Sequence, residues 1–329
     1  MKQIQGAWYE RLGPPHEVLQ VGELPAPEVG PGEVLVRILA SGINPADCKR
    51  RAGWQYGPMA FPRIIPHADG AGVIVATGEG VTAKRVGQRV WLWNAQGDRP
   101  WGTAAELCAL PAERAVPLPP GVDVITGATL GIPAVTAHYA LHADGPIGGQ
   151  TVLVQGGAGA VGYFAIQLAV AAKARVIATV SSAAKAQVAR SAGAVVVDYR
   201  REDVVDAVLA ATGGLGVDRV VEVDFAANQA SDVRLIRPNG VIASYSSTSD
   251  PHPTLDYYAL AFKGVTLRLV QAYLLPPKAR AAAIEAINAA LSTGTLHPPP
   301  VTTFPLKDIA AAHGAVEGKT LVGKAICLL

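Results

Sequence analysis

The sequence predicts an α/β protein in two parts, an irregular β-rich part followed by a doubly wound parallel sheet. Short β-prone runs separated by turn residues fill the chain before Gly121, and apolar runs alternate with alanine-rich stretches after it. The length of 329 residues exceeds that of one typical domain. Because half of the residues are hydrophobic and only 16% are charged, both parts can bury a core.

The β-rich part is predicted from runs of β-branched and other apolar residues. These runs cover residues 34–39, 73–77, 90–93 and 104–110. Proline and glycine turns at 25–27, 30–32, 78–80 and 119–121 bound them, which is typical of irregular all-β packing.

The doubly wound part is predicted from strands that alternate with helices. The strands cover residues 152–155, 175–180, 195–198, 219–223, 241–245 and 265–270, and the helices cover 160–173, 183–192, 203–211 and 228–236. Continuous apolar strands joined by helical crossovers form a parallel sheet that is covered on both faces. A helix at 278–292 and a final strand at 322–328 add no further crossover. We therefore expect domains of 1–123 with 271–329 and of 124–270.

The charge and cysteine content exclude two classes of protein. The net charge is only +2 and the longest basic run is residues 49–51, whereas nucleic-acid binders carry a basic stripe. The three cysteines include no CxxC pair, so neither a disulfide framework nor a structural zinc lobe is indicated.

No targeting or membrane segment is predicted. The first residues lack the apolar core of a signal peptide. Residues 124–143 carry no Lys, Arg, Asp or Glu and are long enough to span a bilayer, but Gly127, Gly131 and Pro133 within them favour a buried helix. We expect a cytoplasmic protein without a membrane partner.

A glycine motif follows the first strand of the doubly wound part. Gly157, Gly159 and Gly162 form GxGxxG between a strand and a helix, the context in which this pattern indicates a dinucleotide site. We expect Gly157 to allow the tight turn, Gly159 to admit a pyrophosphate and Gly162 to let the helix approach the strand. The helix N-terminus attracts the phosphates. The alternative is an ordinary glycine-rich turn.

The second strand of the βαβ unit indicates which dinucleotide binds. NAD sites place an acidic residue there, but residues 179–185 contain none. Instead, the hydroxyls of Ser181 and Ser182 and the amine of Lys185 suit a 2′-phosphate, with residues 199–201 nearby. The pattern predicts NADPH; a simple serine cap and a solvated lysine are the alternative.

No metal site is expected. His138 and His142 are four residues apart, but the glutamate that follows the first histidine of a zincin motif is absent. His67 has no cysteine or histidine near it in the sequence.

Several segments, taken together, resemble one family along nearly the whole chain. They are ASGINPAD (40–47), DGAGVI (69–74), GQRV (87–90), GIPAVTA (131–137), the glycine loop, DYR (198–200) and GK (323–324). The chain is similar to the zeta-crystallin-type quinone oxidoreductases, which are zinc-independent members of the medium-chain dehydrogenase/reductase superfamily. The resemblance implies a Rossmann domain and a GroES-like catalytic domain. Asn44 stands where zinc-dependent relatives have a cysteine ligand, and Ala68 stands where they have a histidine ligand.

The resemblance also implies a set of site residues. The catalytic residues expected near the nicotinamide are Asn44, Asp47, Arg51 and Tyr56. The residues expected to bind the cofactor are Thr136, Gly157, Ala158, Gly159, Ala160, Val161, Gly162, Ser181, Lys185, Tyr199 and Ser246. The family often has glycine at the position of Ser246, and its usual spacing is not matched around residues 54–56. For Asn44 and Asp47 the alternative role is capping of the turn after Pro45.

The sequence therefore predicts an NADPH-dependent quinone reductase that transfers hydride in a cleft between its domains. Asn44 would stabilise charge that develops on the substrate oxygen. An alkenal or enone reductase is an alternative, and a non-catalytic NADPH-binding structural protein is another. A homodimer is expected through the last strand of the sheet, residues 265–270, because its open edge must be covered.

Overall fold

A computed structural model of the chain describes residues 3–54 and 57–329. The chain divides into two compact units, Met1–Ile132 with Pro300–Leu329 and Pro133–Pro299. The boundaries lie at 132/133 and 299/300, whereas the sequence predicts 123/124 and 270/271.

The largest difference concerns residues 271–299, which belong to the second unit. Gln167 Nε2 donates to the carbonyl of His297 at 3.1 Å, and the backbone N–H of His297 donates to Gln167 Oε1 at 2.8 Å. These two bonds hold the segment to a helix of the doubly wound unit, so the chain leaves that unit only at Pro300.

The first unit consists mainly of strands. Its elements are β1 (Gln3–Trp8), α1 (Pro15–Val18), β2 (Gln20–Pro25), β3 (Glu33–Ile43), α2 (Pro45–Ala52), β4 (Asp69–Thr77), β5 (Arg89–Leu92), β6 (Leu107–Pro111), β7 (Ala115–Pro117), β14 (Val301–Pro305), α10 (Ile309–Glu317) and β15 (Lys324–Leu328). Helix α3 (Val124–His142) follows β7 and continues into the second unit.

Strand β3 organises the first unit because it pairs with three neighbours. It is antiparallel to β4, β6 and β15, within a sheet whose order in the described residues is β14-β15-β3-β4-β5-β7. Val34, Val36 and Ile38 point from alternate positions of β3 into a buried apolar cluster. The two-stranded β1-β2 pair was not predicted, and its burial alternates only weakly along β2.

The second unit is the predicted doubly wound sheet, and that prediction is confirmed. Its elements are β8 (Thr151–Val154), α4 (Ala160–Ala171), β9 (Arg175–Val180), α5 (Ala183–Ser191), β10 (Val195–Asp198), α6 (Val204–Ala211), β11 (Val217–Glu222), α7 (Phe225–Leu235), β12 (Ile236–Ser244), α8 (Tyr257–Ala261), β13 (Thr266–Leu269) and α9 (Pro277–Ser292). All strand pairs are parallel, in the order β10-β9-β8-β11-β12-β13 among the described residues.

The strand order places one edge of this sheet at a ligand-binding position. The chain winds outward from β8 to β10 and then returns to β11 on the other side of β8. Ligands of open α/β sheets bind beyond the carboxyl ends of the strands at such a reversal. The glycine loop after β8 therefore lies where this fold binds ligands.

Helix α3 is long and apolar enough to cross a membrane by length and composition alone. Of its most apolar stretch, 78% is buried inside the protein. Such burial is typical of the core helix of a globular protein.

Gly159 and Gly162, at the start of α4, give a matched test of packing. A Cβ at Gly162 would overlap the carbonyl oxygen of Gly156, whereas a Cβ at Gly159 would meet nothing nearer than 3.5 Å. We expect Gly162→Ala to lower the free energy of unfolding of the second unit by about 1–3 kcal/mol, because the backbone must move. Gly159→Ala is the control, with an expected change within about 0.5 kcal/mol. Urea titration followed by circular dichroism measures both, and equal stabilities of the two variants would contradict the packing argument.

Candidate active site

Asn44, Asp69 and Lys324 form a buried polar cluster in the first unit. Lys324 Nζ donates to Asn44 Oδ1 at 2.5 Å and to Asp69 Oδ2 at 3.0 Å. Asn44 Nδ2 donates to Asp69 Oδ2 at 2.8 Å. These contacts fix the orientation of the Asn44 amide, and the ammonium on its oxygen makes its N–H groups stronger donors.

The Asp47 carboxylate accepts hydrogen bonds from two backbone N–H groups near the start of α2. Its Oδ2 accepts from the N–H of Asn44 at 2.7 Å, and its Oδ1 accepts from the N–H of Ala68 at 3.2 Å. Burial, followed by the nearby Asp69 carboxylate, raises the pKa of Asp47 to about 6. The geometry therefore supports the capping role for Asp47, and its contact with substrate stays a prediction.

Arg51, another expected catalytic residue, does not join this cluster. Arg51 is fully buried, and its guanidinium donates to the carbonyl of Gly13 and pairs with Glu317 on α10. This geometry favours a structural role for Arg51, and its contact with substrate stays a prediction. Tyr56 lies outside the described residues.

A chain of hydrogen bonds runs beside the cluster and was not predicted. His313 Nε2 and His67 Nε2 are 2.9 Å apart, and His67 Nδ1 lies 2.8 Å from Ser41 Oγ. Ser41 Oγ lies 2.7 Å from Thr103 Oγ1, which donates to the carbonyl of Asp69. Burial lowers the pKa of both histidines, that of His313 to about 3, so both rings are neutral at physiological pH.

Residues 3–54 and 57–329 contain no group of three or more His, Cys, Asp or Glu side chains able to hold a metal ion. At Asn44, where a zinc ligand would stand, the cation is instead the Lys324 ammonium. These residues do not fit zinc, because an amide oxygen beside a lysine replaces the expected thiolate.

The glycine loop of the second unit resembles a phosphate-binding turn, but the tight turn is made by a different glycine from the one expected. The left-handed residue is Gly156, with φ +73°, and not Gly157. Gly157 is needed for another reason, since a Cβ there would lie 2.6 Å from the Cβ of Ala178 on β9. Gly159 caps α4 and is exposed.

The start of α4 offers backbone donors to an anion. Ala158 is buried in the turn, and Ala160, Val161 and Gly162 are the first three residues of the helix. Their N–H groups have no acceptor within the helix and point out of its N-terminus. Together with the helix dipole they could hold a pyrophosphate.

The expected phosphate-selecting residues meet at the end of β9. Lys185 Nζ donates to Ser181 Oγ at 3.1 Å, while Ser182 caps α5 by accepting from the N–H of Lys185. Ser182 is therefore the residue that caps α5, whereas the Ser181 hydroxyl is hydrogen-bonded to the Lys185 amine. Tyr199 is bonded through its backbone N–H to the carbonyl of Val180 at 3.1 Å, and its ring is half exposed.

Two further expected cofactor residues lie in the second unit. Thr136 is buried on α3. Ser246 follows β12, and its hydroxyl lies 2.9 Å from that of Thr248. Their contacts with a cofactor stay predictions.

Asp69 and Lys324 are the important residues that the sequence did not single out as site residues. Both belong to segments that carry the family resemblance. A stronger signal was available in β15, where Lys324 begins an otherwise apolar strand that is buried at four of its five positions.

Two family models match the chain. The model described as "Alcohol dehydrogenase GroES-like domain" matches residues 30–120, and the model described as "Zinc-binding dehydrogenase" matches residues 160–289. The first match lies in the β-rich unit and the second in the doubly wound unit.

Curated relatives cover almost the whole chain. A quinone oxidoreductase of Pseudomonas aeruginosa is 32% identical over 99% of this chain and 99% of its own length. A 2-haloacrylate reductase of Burkholderia is 30% identical over 97% of both chains.

A solved structure agrees with the sequence relatives. A mycobacterial protein complexed with NADPH has a TM-score of 0.88 and 28% identity, and the match covers 99% of this chain and 100% of that one. The matched models, the identity along the whole length and the shared fold agree, and the chain belongs to the quinone oxidoreductase family of the medium-chain dehydrogenase/reductase superfamily.

Proposed function

We propose that this protein is an NADPH-dependent reductase that transfers hydride to a quinone without zinc. The observation that carries this proposal is the 32% identity to a quinone oxidoreductase along 99% of the chain. We propose a cytoplasmic location as well, since the cytoplasm is one compartment that supplies NADPH.

NADPH fits the second unit at two places. The exposed Gly159 and the first N–H groups of α4 suit its pyrophosphate. The Ser181 hydroxyl and the Lys185 ammonium, 3.1 Å apart, suit its 2′-phosphate through charge-assisted hydrogen bonds. When bound, NADPH supplies the hydride.

The residues of the first unit supply charge stabilisation rather than acid–base chemistry. The Asn44 amide, polarised by Lys324 Nζ, would donate to the substrate oxygen as negative charge develops on it. A quinone needs little more, since its reduced form is aromatic. Lys324 supplies positive charge near Asn44, which is why we propose a reaction without zinc.

The alternative substrate is a conjugated alkene, and the relative named 2-haloacrylate reductase favours it. Such a substrate would accept hydride at carbon, with the same cofactor and the same fold. A structural protein that binds NADPH without turnover is the remaining alternative.

The substrate is tested by loss of NADPH absorbance with two panels, quinones such as 1,4-benzoquinone and alkenes such as 2-chloroacrylate and short enones. We expect turnover with quinones and a kcat about 100-fold lower in Asn44→Ala, the usual effect of removing one oxyanion donor. Gln20→Ala removes an exposed amide of the same unit and is the matched control. Turnover of alkenes alone would assign the alternative substrate, and binding without turnover of either panel would assign the structural role.

Cofactor selection is tested at Lys185. Lys185→Ala should weaken NADPH about 10- to 100-fold and leave NADH nearly unchanged, because a charge-assisted contact of about 1.5–3 kcal/mol is lost. Lys278→Ala, an exposed lysine on α9, is the matched control. Titration of protein fluorescence with each dinucleotide gives the dissociation constants, and equal weakening of both would contradict phosphate selection.

We also propose a homodimer through the edge of the second unit's sheet. Strand β13 ends the sheet, and apolar side chains near it are exposed, including Phe262 at 84% and Leu269 at 75%. An unpaired edge beside such a surface would be covered by the same edge of a second copy.

The dimer is tested by substitution of this surface. Phe262→Lys with Leu269→Lys should convert a dimer into a monomer, because each new ammonium would be buried between the copies. Val195→Lys changes a valine that is 49% exposed on β10, the edge strand opposite β13, and it should leave the mass unchanged. Light scattering after size exclusion measures the mass. A wild-type monomer, or a dimer that survives the double substitution, would refute this interface.

A further inference from the structure

A pair of acidic side chains that the proposed reaction does not use is buried in the second unit. Glu222, the last residue of β11, and Asp232 on α7 are both fully buried. Asn228, which donates to Glu222, lies one helical turn before Asp232 on α7, and this arrangement brings the two carboxyl groups together. Among the described residues, no N–H or O–H group donates a hydrogen bond to Glu222 Oε2 or Asp232 Oδ2, although both atoms are buried. Ionised carboxylates only accept hydrogen bonds, so a hydrogen bond between the two carboxyl groups requires one proton between the two oxygens.

The remaining oxygens of the pair are fixed by donors. Glu222 Oε1 accepts from Asn228 Nδ2 at 3.0 Å and from the N–H of Asp224. Asp232 Oδ1 accepts from Gln155 Nε2 at 2.8 Å. All of these donors are neutral, so the pair is not an ion pair with a lysine or an arginine.

The titratable groups around the pair do not supply a positive charge either. Asp224 approaches from the turn before α7, and the phenol of Tyr245 approaches from the end of β12. Asp206 on α6 is exposed, Lys263 Nζ donates to carbonyls at the end of α7, and Arg237 pairs with Asp218. Burial and the Glu222 carboxylate raise the pKa of Asp232 well above its usual range, which favours Asp232 as the carrier of a shared proton.

A directional chain of hydrogen bonds connects this pair to the glycine loop. The N–H of Gly156 donates to Thr179 Oγ1 at 3.0 Å, and Thr179 Oγ1 donates to Gln155 Oε1 at 2.7 Å. Gln155 Nε2 then donates to Asp232 Oδ1. Each donor direction is fixed by the one before it, so Asp232 must accept on Oδ1 and can share its proton only through Oδ2.

The same pair is linked to the loops on its other side. Asp224, whose N–H bonds Glu222, accepts from Ser249 Oγ at 2.8 Å. The N–H of Phe225 donates to the carbonyl of Ser246 at 3.0 Å. The pair therefore joins the loops after β8, β11 and β12, which all lie at the carboxyl end of the sheet, where ligands of this fold bind.

We propose that Glu222 and Asp232 share one proton and position the glycine loop through Gln155 and Thr179, so that loss of this proton loosens the loop and weakens dinucleotide binding. The proposal rests on the proposed binding of NADPH in the second unit. Without the proton, two buried carboxylates would repel each other, and the bond from Asp232 to Gln155 would be disturbed first. Glu222 and Asp232 are positioning residues, because neither contacts the loop directly.

The test is the pH dependence of dinucleotide affinity, measured by fluorescence titration from pH 7 to 9.5. NADH is measured together with NADPH because NADH has no 2′-phosphate, so its affinity does not depend on the proposed contact with Lys185. Wild-type protein should bind both dinucleotides about tenfold more weakly at pH 9.5 than at pH 7. A tenfold change corresponds to the loss of about one hydrogen bond to a charged group. Asp232→Asn should keep its affinity within about twofold across this range, because its amide donates to Glu222 without a titrating proton.

Two further variants separate positioning from general stability. Asp206→Asn, an exposed acid on α6, should keep the wild-type pH profile. Thr179→Val, which cuts the chain of hydrogen bonds, should weaken both dinucleotides about tenfold at every pH. A wild-type affinity that is flat with pH, or an equal slope in Asp232→Asn, would overturn the proposal while leaving the function intact. Failure of NADPH to bind at pH 7 would overturn the function and this inference together.

Discussion

The fully buried carboxylate of Asp69 is the constraint around which the interior of the first unit is arranged. Its Oδ2 accepts from Asn44 and Lys324, and its Oδ1 accepts from the N–H of Ile132 at 2.8 Å. A Cβ at Gly131 would overlap Oδ1, so this position requires glycine. Removal of one partner from a buried charge typically costs about 3–5 kcal/mol, so the neighbours of Asp69 are tightly restricted.

The buried carboxyl groups of the two units have different partners. In the first unit the ammonium of Lys324 pairs with Asp69 and places a positive charge beside Asn44. In the second unit no lysine or arginine is among the described hydrogen-bond partners of Glu222 and Asp232. In our proposal a shared proton takes the place of the lysine there.

The sequence was sufficient where structure depends on neighbours along the chain. The strands and helices of the doubly wound unit lie within a few residues of their predicted positions, because apolar runs and glycine turns determine them locally. It was insufficient where distant segments meet. Nothing local shows that residues 271–299 stay with the second unit, or that β1 pairs with β2.

The candidate site shows the same division. The GxGxxG motif located the loop, but the residue with positive φ is Gly156, one position earlier, because backbone conformation depends on how the strand enters the turn. The pairing of Asn44 with Lys324 joins residues 280 positions apart and has no periodic signature. The Glu222–Asp232 contact is likewise a tertiary one, formed only when α7 packs on β11.

The position of Lys324 along the chain has a consequence for biosynthesis. The ribosome produces Asp69 and Asn44 early, then the whole of Pro133–Pro299, and only afterwards the strand that carries the ammonium. Until β15 emerges, the nascent first unit has an acid it cannot neutralise, while the second unit already has every residue of its own sheet. The second unit can therefore fold first. The first unit can complete its fold only after β15 has been synthesised.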